Sequence, residues 1–500
     1  MSPPAVRAIV VIGRDAPLWL AAATIAKALE PAGVMVTAIE LPSALHPADV
    51  YPTLPALEAL HNQLRIDEAA LIRASRGAFS LGQNFVEPAS GASGFLHAYG
   101  AFGTAIDGKD FFAYWLKARR HGLSVGLEDF SLTAAAARHG RLLIPDAETE
   151  RYGRSDYGYH LPAAAYAGIL KAVAIRDGVT ALTASGANAV LASETGDIAA
   201  LIVDGGEHIG GDLFIDATGG EGDLIGGALG VARESWRSCF PADRVLAANG
   251  PALSPLPIYA EVRAWRGGWT ALHPTPARTH VAQAYASALA SDEEALRGAE
   301  AACGFALADP AVRSSDPGRR EAAWARNCVA IGSAACAFDP VHGVDLHAVQ
   351  LGLIHLLACF PVGGAFGAQR AEYNRIMRSS FEQVRDFQSA HYALARYEGA
   401  FWASAREAET SPELAHTIAT FRARGEVPPM EEQSFAPDSW RALFIGHGVT
   451  PESHLPVIDR TTPDEMKAQF RRMLGFVKEQ VLRQPTHDEY LGRIADHAGG

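Results

Sequence analysis

A chain of 500 residues, 48% of them apolar, can bury a large core and is long enough to form more than one lobe. Its 56 acidic side chains outnumber 43 basic ones, for a net charge of −13. That balance argues against nucleic acid or an anionic membrane as partner, since both require clustered Lys and Arg, and it favours small-molecule ligands. The cysteines, Cys239, Cys303, Cys328, Cys336 and Cys359, show no CxxC spacing, so neither a disulfide framework nor a metal site is expected. The opening MSPPAVRAIVVIG has no basic stretch followed by a long apolar run, and no apolar run reaches membrane-spanning length. A cytoplasmic protein with buried free thiols is the expectation.

In chain order, a strand over 7–13 runs into a helix from about Pro17 to Leu29, then the turn EPAG and the strand VMVTAIE ending at Glu40. This is half of a nucleotide-binding fold, yet the glycines that would cradle a phosphate are missing after Gly13. Residues 56–77 and segments of 110–139 carry helical periodicity. Residues 170–285 hold short β-rich runs such as AVLASE, IAALIVDG and DLFIDATGG. NCVAIGSAACAF reads as a buried strand, followed by the turn DPVHG and the helix DLHAVQLGLIHLLACF, which Pro361 ends. From about 366 onward the pattern is amphipathic helix. The expected organisation is an α/β, Rossmann-type lobe over 1–365, with an inserted β-rich substrate region at about 170–290, and a mainly helical lobe over 366–500.

Several blocks in order along the chain resemble flavin-dependent halogenases of the tryptophan-halogenase type. These are FLHAYGAFGTAIDGKDFFAYWL, YGYHLPAAAYAGILK, FIDATGGEGDLIG, GWTALHPTPARTHVAQAYAS, NCVAIGSAACAFDPVHGVDLHAVQLGLIHLLACFP and SFAPDSWRALFIGHGVTP. The resemblance implies a flavin-monooxygenase-like lobe, FAD delivered in reduced form by a separate flavin reductase, and hypohalous acid passed through a tunnel to a lysine beside an aromatic substrate, with a glutamate assisting.

The positions that would do this work have changed. The family's glycine loop falls on GRDAPLW, where Gly13 and Trp19 match; Pro17 removes an N–H donor, and Asp15 is expected as an N-cap whose carboxylate repels phosphate. Glu40 stands where an acid accepts from a ribose hydroxyl, and Asp216 and Gly219 of FIDATGG are further candidates for cofactor contact. The G-x-G-E-A-T stretch falls on ADVYPT, where only Thr53 matches and Tyr51 and Pro52 add bulk. The catalytic lysine falls on Ser80, a neutral and weaker donor. P-L-E-S-T falls on Pro340 to Val344, so His342 replaces the glutamate, and W-x-W-x-I-P keeps Trp269 and Pro274 with His273 between them. Asp339, His342, Asp345 and His347, with His273, are candidates for different acid–base chemistry, since histidine titrates near neutrality. Asp339 also reads as a turn residue and Asp345 as the cap of the following helix. Trp269, Phe435 and Trp440 are the candidate substrate contacts.

Three functional expectations follow. The first is a degenerate homologue, a pseudoenzyme with weak or no FAD binding, that binds an indole-like or other small aromatic ligand or pairs with an active halogenase homologue or a second copy of itself. The second is a flavin-dependent halogenase or monooxygenase with a rearranged site. The third is flavin-independent acid–base chemistry at His342 and His273.

Overall fold

The structure, a computed structural model, describes residues 6–86, 94–361, 363, 366–431 and 433–496. The expected boundary at residue 365 lies outside the described residues. The chain forms two compact units, each assembled from three segments: residues 1–77, 161–238 and 314–385 in the first, and 78–160, 239–313 and 386–500 in the second. This division differs from a single cut near 365.

The first unit is built on a six-stranded sheet. In order across it lie Trp324–Ala325, Cys328–Ala330, Leu213–Ala217, Ala8–Gly13, Met35–Glu40 and Thr180–Thr183, all parallel except the first. AIVVIG forms the central strand because nearly every side chain in it is apolar and buried, as a strand covered on both faces requires. The helix Asp15–Leu29 is apolar nearly all round and fully buried over most of its length. It packs against Ala163–Arg176 and Asp345–Ala358. Pro17 sits in its first turn, where a missing N–H costs nothing. Two small antiparallel sheets lie within the unit, one of Asn188–Leu191, Ile198–Ile202 and His208–Gly210, the other of Arg233–Ser235, Gly318–Arg320 and Cys336–Ala337. The expected single strand in NCVAIGSAACAF is therefore two short strands, separated by the 3-10 turn Gly332–Ala334. The helix predicted over 56–77 is likewise two, Leu57–Gln63 and Glu68–Ser75, broken where Arg65 takes a left-handed φ of 53°.

The second unit holds a seven-stranded sheet ordered Ala308–Ser314, Arg244–Gly250, Thr279–Tyr285, Gly268–Pro274, Ala260–Trp265, Gly82–Val86 and Phe95–Ala98. The helix Asp292–Cys303 contributes Ala295 to a core with Leu246, Ala248 and Tyr285 of this sheet. The β-rich region expected near 170–290 is thus shared between the units, because strand Gly82–Val86 pairs in parallel with Ala260–Trp265 and draws residues 239–313 into the second. From Gly367 to Asp496 the named elements are helices, as the periodicity implies. Among the described residues no helix is long and apolar enough to cross a membrane.

Candidate functional site

In the first unit the cofactor candidates meet at the carboxyl ends of adjacent parallel strands. Gly13 pairs with Glu40 on one side and with Ala217 on the other. A Cβ on Gly13 would stand 2.3 Å from the Ala217 carbonyl oxygen, so this glycine is required by strand packing whether or not a phosphate binds. Arg14 crosses these ends: its Nε donates to the Thr218 carbonyl at 3.0 Å and its Nη1 to the Pro42 carbonyl at 3.0 Å.

Asp15 does not cap the helix as expected. The cap position is Arg14, which makes no side-chain cap bond, and Asp15 is the first helical residue with a left-handed φ of 58°. An Asp tolerates that conformation better than most side chains, which lets it replace a loop glycine. Its carboxylate turns away from the helix and accepts from the Ser43 hydroxyl at 2.5 Å and the Ala44 N–H at 3.2 Å.

Glu40 accepts from the Trp19 indole at 3.2 Å and from Lys171 Nζ at 2.6 Å, and the Lys171 ammonium lies 5.2 Å from the Trp19 ring centroid. Asp216 is fully buried, and its oxygens accept from the Thr218 N–H and hydroxyl and from the N–H groups of Leu224 and Ile225. Its carboxylate therefore shapes the loop 218–225. Gly219 in that loop has a φ of 108° and open space where a Cβ would be.

Near these strand ends the first unit is acidic. Burial first, and then Asp15, Asp345 and Asp49, push the Tyr51 phenol above its ordinary range. Asp345 is the first residue of its helix, not the expected cap, which is Val344. It is accessible to solvent, yet surrounding protein, with Asp49, raises its carboxyl. Asp339 is the turn residue expected, accepting from the Val341 N–H at 3.1 Å. His342 is buried at the end of the 3-10 turn Pro340–His342. His347 is held to about 4 by burial, which keeps it uncharged near neutral pH.

In the second unit, Ser80 is buried and donates to the Gly82 carbonyl at 3.2 Å. His273 meets His160 and His280: the His160 ring lies 5.2 Å from it, and His280 is its cross-strand partner. Burial, reinforced by these two imidazoles, lowers His273 well below the usual histidine value, so it stays neutral rather than exchanging a proton near neutrality as expected. Among the described residues no group of three or more His, Cys, Asp or Glu is arranged to hold a metal ion.

The substrate candidates fall in two places in this unit. Trp269 is fully buried, with Trp402 at 4.8 Å, Tyr392 at 5.7 Å and Phe85 at 5.9 Å between ring centroids, an aromatic core position. Phe435 stacks on Phe387 at 3.8 Å, and Trp440 meets the same Phe387 edge-on at 5.0 Å. His97, which sequence reasoning passed over, closes this box at 5.3 Å from Phe387 and 6.1 Å from Phe435. It is 2% exposed, among the described residues neither ring nitrogen has a hydrogen-bond partner, and burial holds it at about 4. The signal available was a lone histidine between aromatic residues in FLHAY, together with Phe387 and His391 four apart on one helix face.

Comparison with known proteins supplies the context for these positions. Residues 8–463 match the tryptophan halogenase family. The chain is 30% identical to the flavin-dependent halogenase BrvH from Brevundimonas sp. BAL3, covering 98% of this chain and 99% of that one with a TM-score of 0.92. It is also 30% identical to the flavin-dependent halogenase Xcc4156 from Xanthomonas campestris, with the same coverage and a TM-score of 0.93. Tryptophan 7-halogenase KtzQ of Kutzneria sp. strain 744 is 26% identical over 98% of both chains. With a match running through nearly the whole sequence, the chain belongs to the tryptophan halogenase family.

Proposed function

We propose that this chain is a family member that binds a small aromatic ligand, indole-like in shape, without performing the family's halogen transfer, either alone or paired with an active homologue. The observation that carries the reading is that Arg14 and Asp15 are each satisfied by other parts of the protein, Arg14 by the Thr218 and Pro42 carbonyls and Asp15 by Ser43 and Ala44. The family implies FAD, and a pyrophosphate needs free N–H donors and close backbone approach at this helix terminus. Here Arg14 spans the strand ends between the Thr218 and Pro42 carbonyls, and the Asp15 carboxylate, held by Ser43 and Ala44, places a negative charge at the start of the helix. The carboxylates around Tyr51 add repulsion toward phosphate. These residues do not fit the pyrophosphate, so no step is routed through flavin. By the resemblance, Ser80 and His342 likewise replace the family's amine and carboxylate. The ligand half of the reading rests on His97, whose unpartnered nitrogens inside an aromatic box suit a ring bearing an N–H or O–H.

A second reading keeps a flavin-dependent halogenase or monooxygenase supplied by a reductase, and the open space at Gly219 favours it. Flavin-independent chemistry at His342 and His273 is disfavoured by the neutral, buried state of His273. Calorimetric titration with oxidised FAD, and anaerobically with reduced FAD, separates these readings. No detectable heat with either form supports the first; micromolar binding, about −8 kcal/mol, overturns it. A parallel titration with indole and a His97→Phe variant tests the box.

A further inference from the structure

The second unit carries a concavity of about 650 Å³ alongside the helix Pro463–Arg483, whose lining residues include none of the aromatic box. That volume lies in the range of small-molecule sites. Its floor is apolar: Tyr152 stacks on Phe476 with centroids 5.1 Å apart and planes 18° apart, and Met473 is buried beside them. The Tyr152 hydroxyl donates to the Phe130 carbonyl at 2.8 Å, which fixes the ring that forms this floor.

The rim is divided electrostatically. At one end Glu148 accepts from Gln480 at 2.8 Å and lies 3.7 Å from Arg483, which also pairs with Glu479, so these charges are largely answered within the protein. Toward the rest of the rim, Arg151 and Arg472 are exposed, and among the described residues neither has a hydrogen bond or an ion pair. In a chain with a net charge of −13, two unanswered guanidiniums beside an aromatic floor are a local reversal of sign. A guanidinium offers a planar fork that matches a carboxylate, and an aromatic floor accepts a flat ring.

We propose that this concavity is a second binding site, for a small aromatic carboxylate whose ring lies against Tyr152 and Phe476 and whose carboxylate is held by Arg151 and Arg472. The assignment does not depend on the reading of the halogenase-like site.

The test is calorimetric titration of the full chain with 2-naphthoate, with the uncharged 2-naphthalenemethanol as comparison, on the natural protein, on Arg151→Gln/Arg472→Gln and on Phe435→Ala. Both arginines are exposed, so the double variant retains its fold, which its thermal melt verifies. The expected result is naphthoate binding to the natural protein that weakens about tenfold in the double variant, persists in Phe435→Ala and falls with added salt, while the neutral probe is unaffected by the arginine changes. The proposal is overturned if the natural protein takes up no naphthoate at millimolar concentration, if the double variant binds it as the natural protein does, or if Phe435→Ala alone abolishes binding.

Discussion

Acidification should unfold this protein before its carboxylates titrate, because so many histidines are buried in neutral form. His97, His160 and His487 of the second unit are each lowered from 6.5 to about 4, chiefly by burial. Their folded values lie below their unfolded ones, so the unfolded chain binds more protons between these limits. Stability is complete above about pH 6.5 and is lost as the pH falls toward 4. At about pH 5 each such histidine costs about 2 kcal/mol, and three cost about 6, comparable with the 5–15 kcal/mol that holds a domain together. His273 and His447 of the same unit, also lowered by burial, add to this. The assay is thermal unfolding between about pH 8 and pH 5, followed by far-ultraviolet circular dichroism and tryptophan fluorescence. At roughly 2–4 °C per kcal/mol, the transition of the second unit should fall by at least about 10 °C across that interval. A midpoint that stays level down to pH 5 would refute the argument that these imidazoles are desolvated and unprotonated.

Three substitutions probe the other assignments. Gly13→Ala drives a methyl into the Ala217 carbonyl and should cost about 1–3 kcal/mol or more in chemical denaturation, with no ligand present. Asp216→Asn removes the charge that four donors converge on; a loss of about 1.5–3 kcal/mol and faster amide exchange at Leu224 and Ile225 are expected, and unchanged exchange would remove its role as organiser of the loop. Phe387→Ala empties the centre of the box beneath Phe435 and Trp440, so it should destabilise by about 3–5 kcal/mol and abolish indole binding together.

Local physics made much of the fold readable. AIVVIG and the Ala-rich run after it could be placed because burial on every side leaves no polar face, and the C-terminal helices because their apolar spacing is regular. The two-unit division was not readable, since it depends on Gly82–Val86 pairing with Ala260–Trp265, a contact without local signature. At the site, the departures at Arg14, Asp15, Ser80 and His342 were readable only through the resemblance to the halogenase family. What those residues do instead was not: Arg14 reaches Thr218 across 204 positions and Lys171 reaches Glu40 across 131. His97 escaped notice because a histidine with two unanswered nitrogens looks, in sequence, like any core histidine.

The interleaving of segments also sets the order of events during synthesis. The first unit has all its residues once the chain reaches 385, whereas the second waits for its last helices. Strand Gly82–Val86, made early, has no parallel partner until Ala260–Trp265 has left the ribosome. At about 5–20 residues per second that interval lasts on the order of ten to forty seconds. Throughout it Phe85, later enclosed beside Trp269, stands on a strand whose inner edge is open. Nascent chains of this protein should therefore depend on holding chaperones more than on any helper acting after release, and codon changes that slow translation between these strands should lower soluble yield.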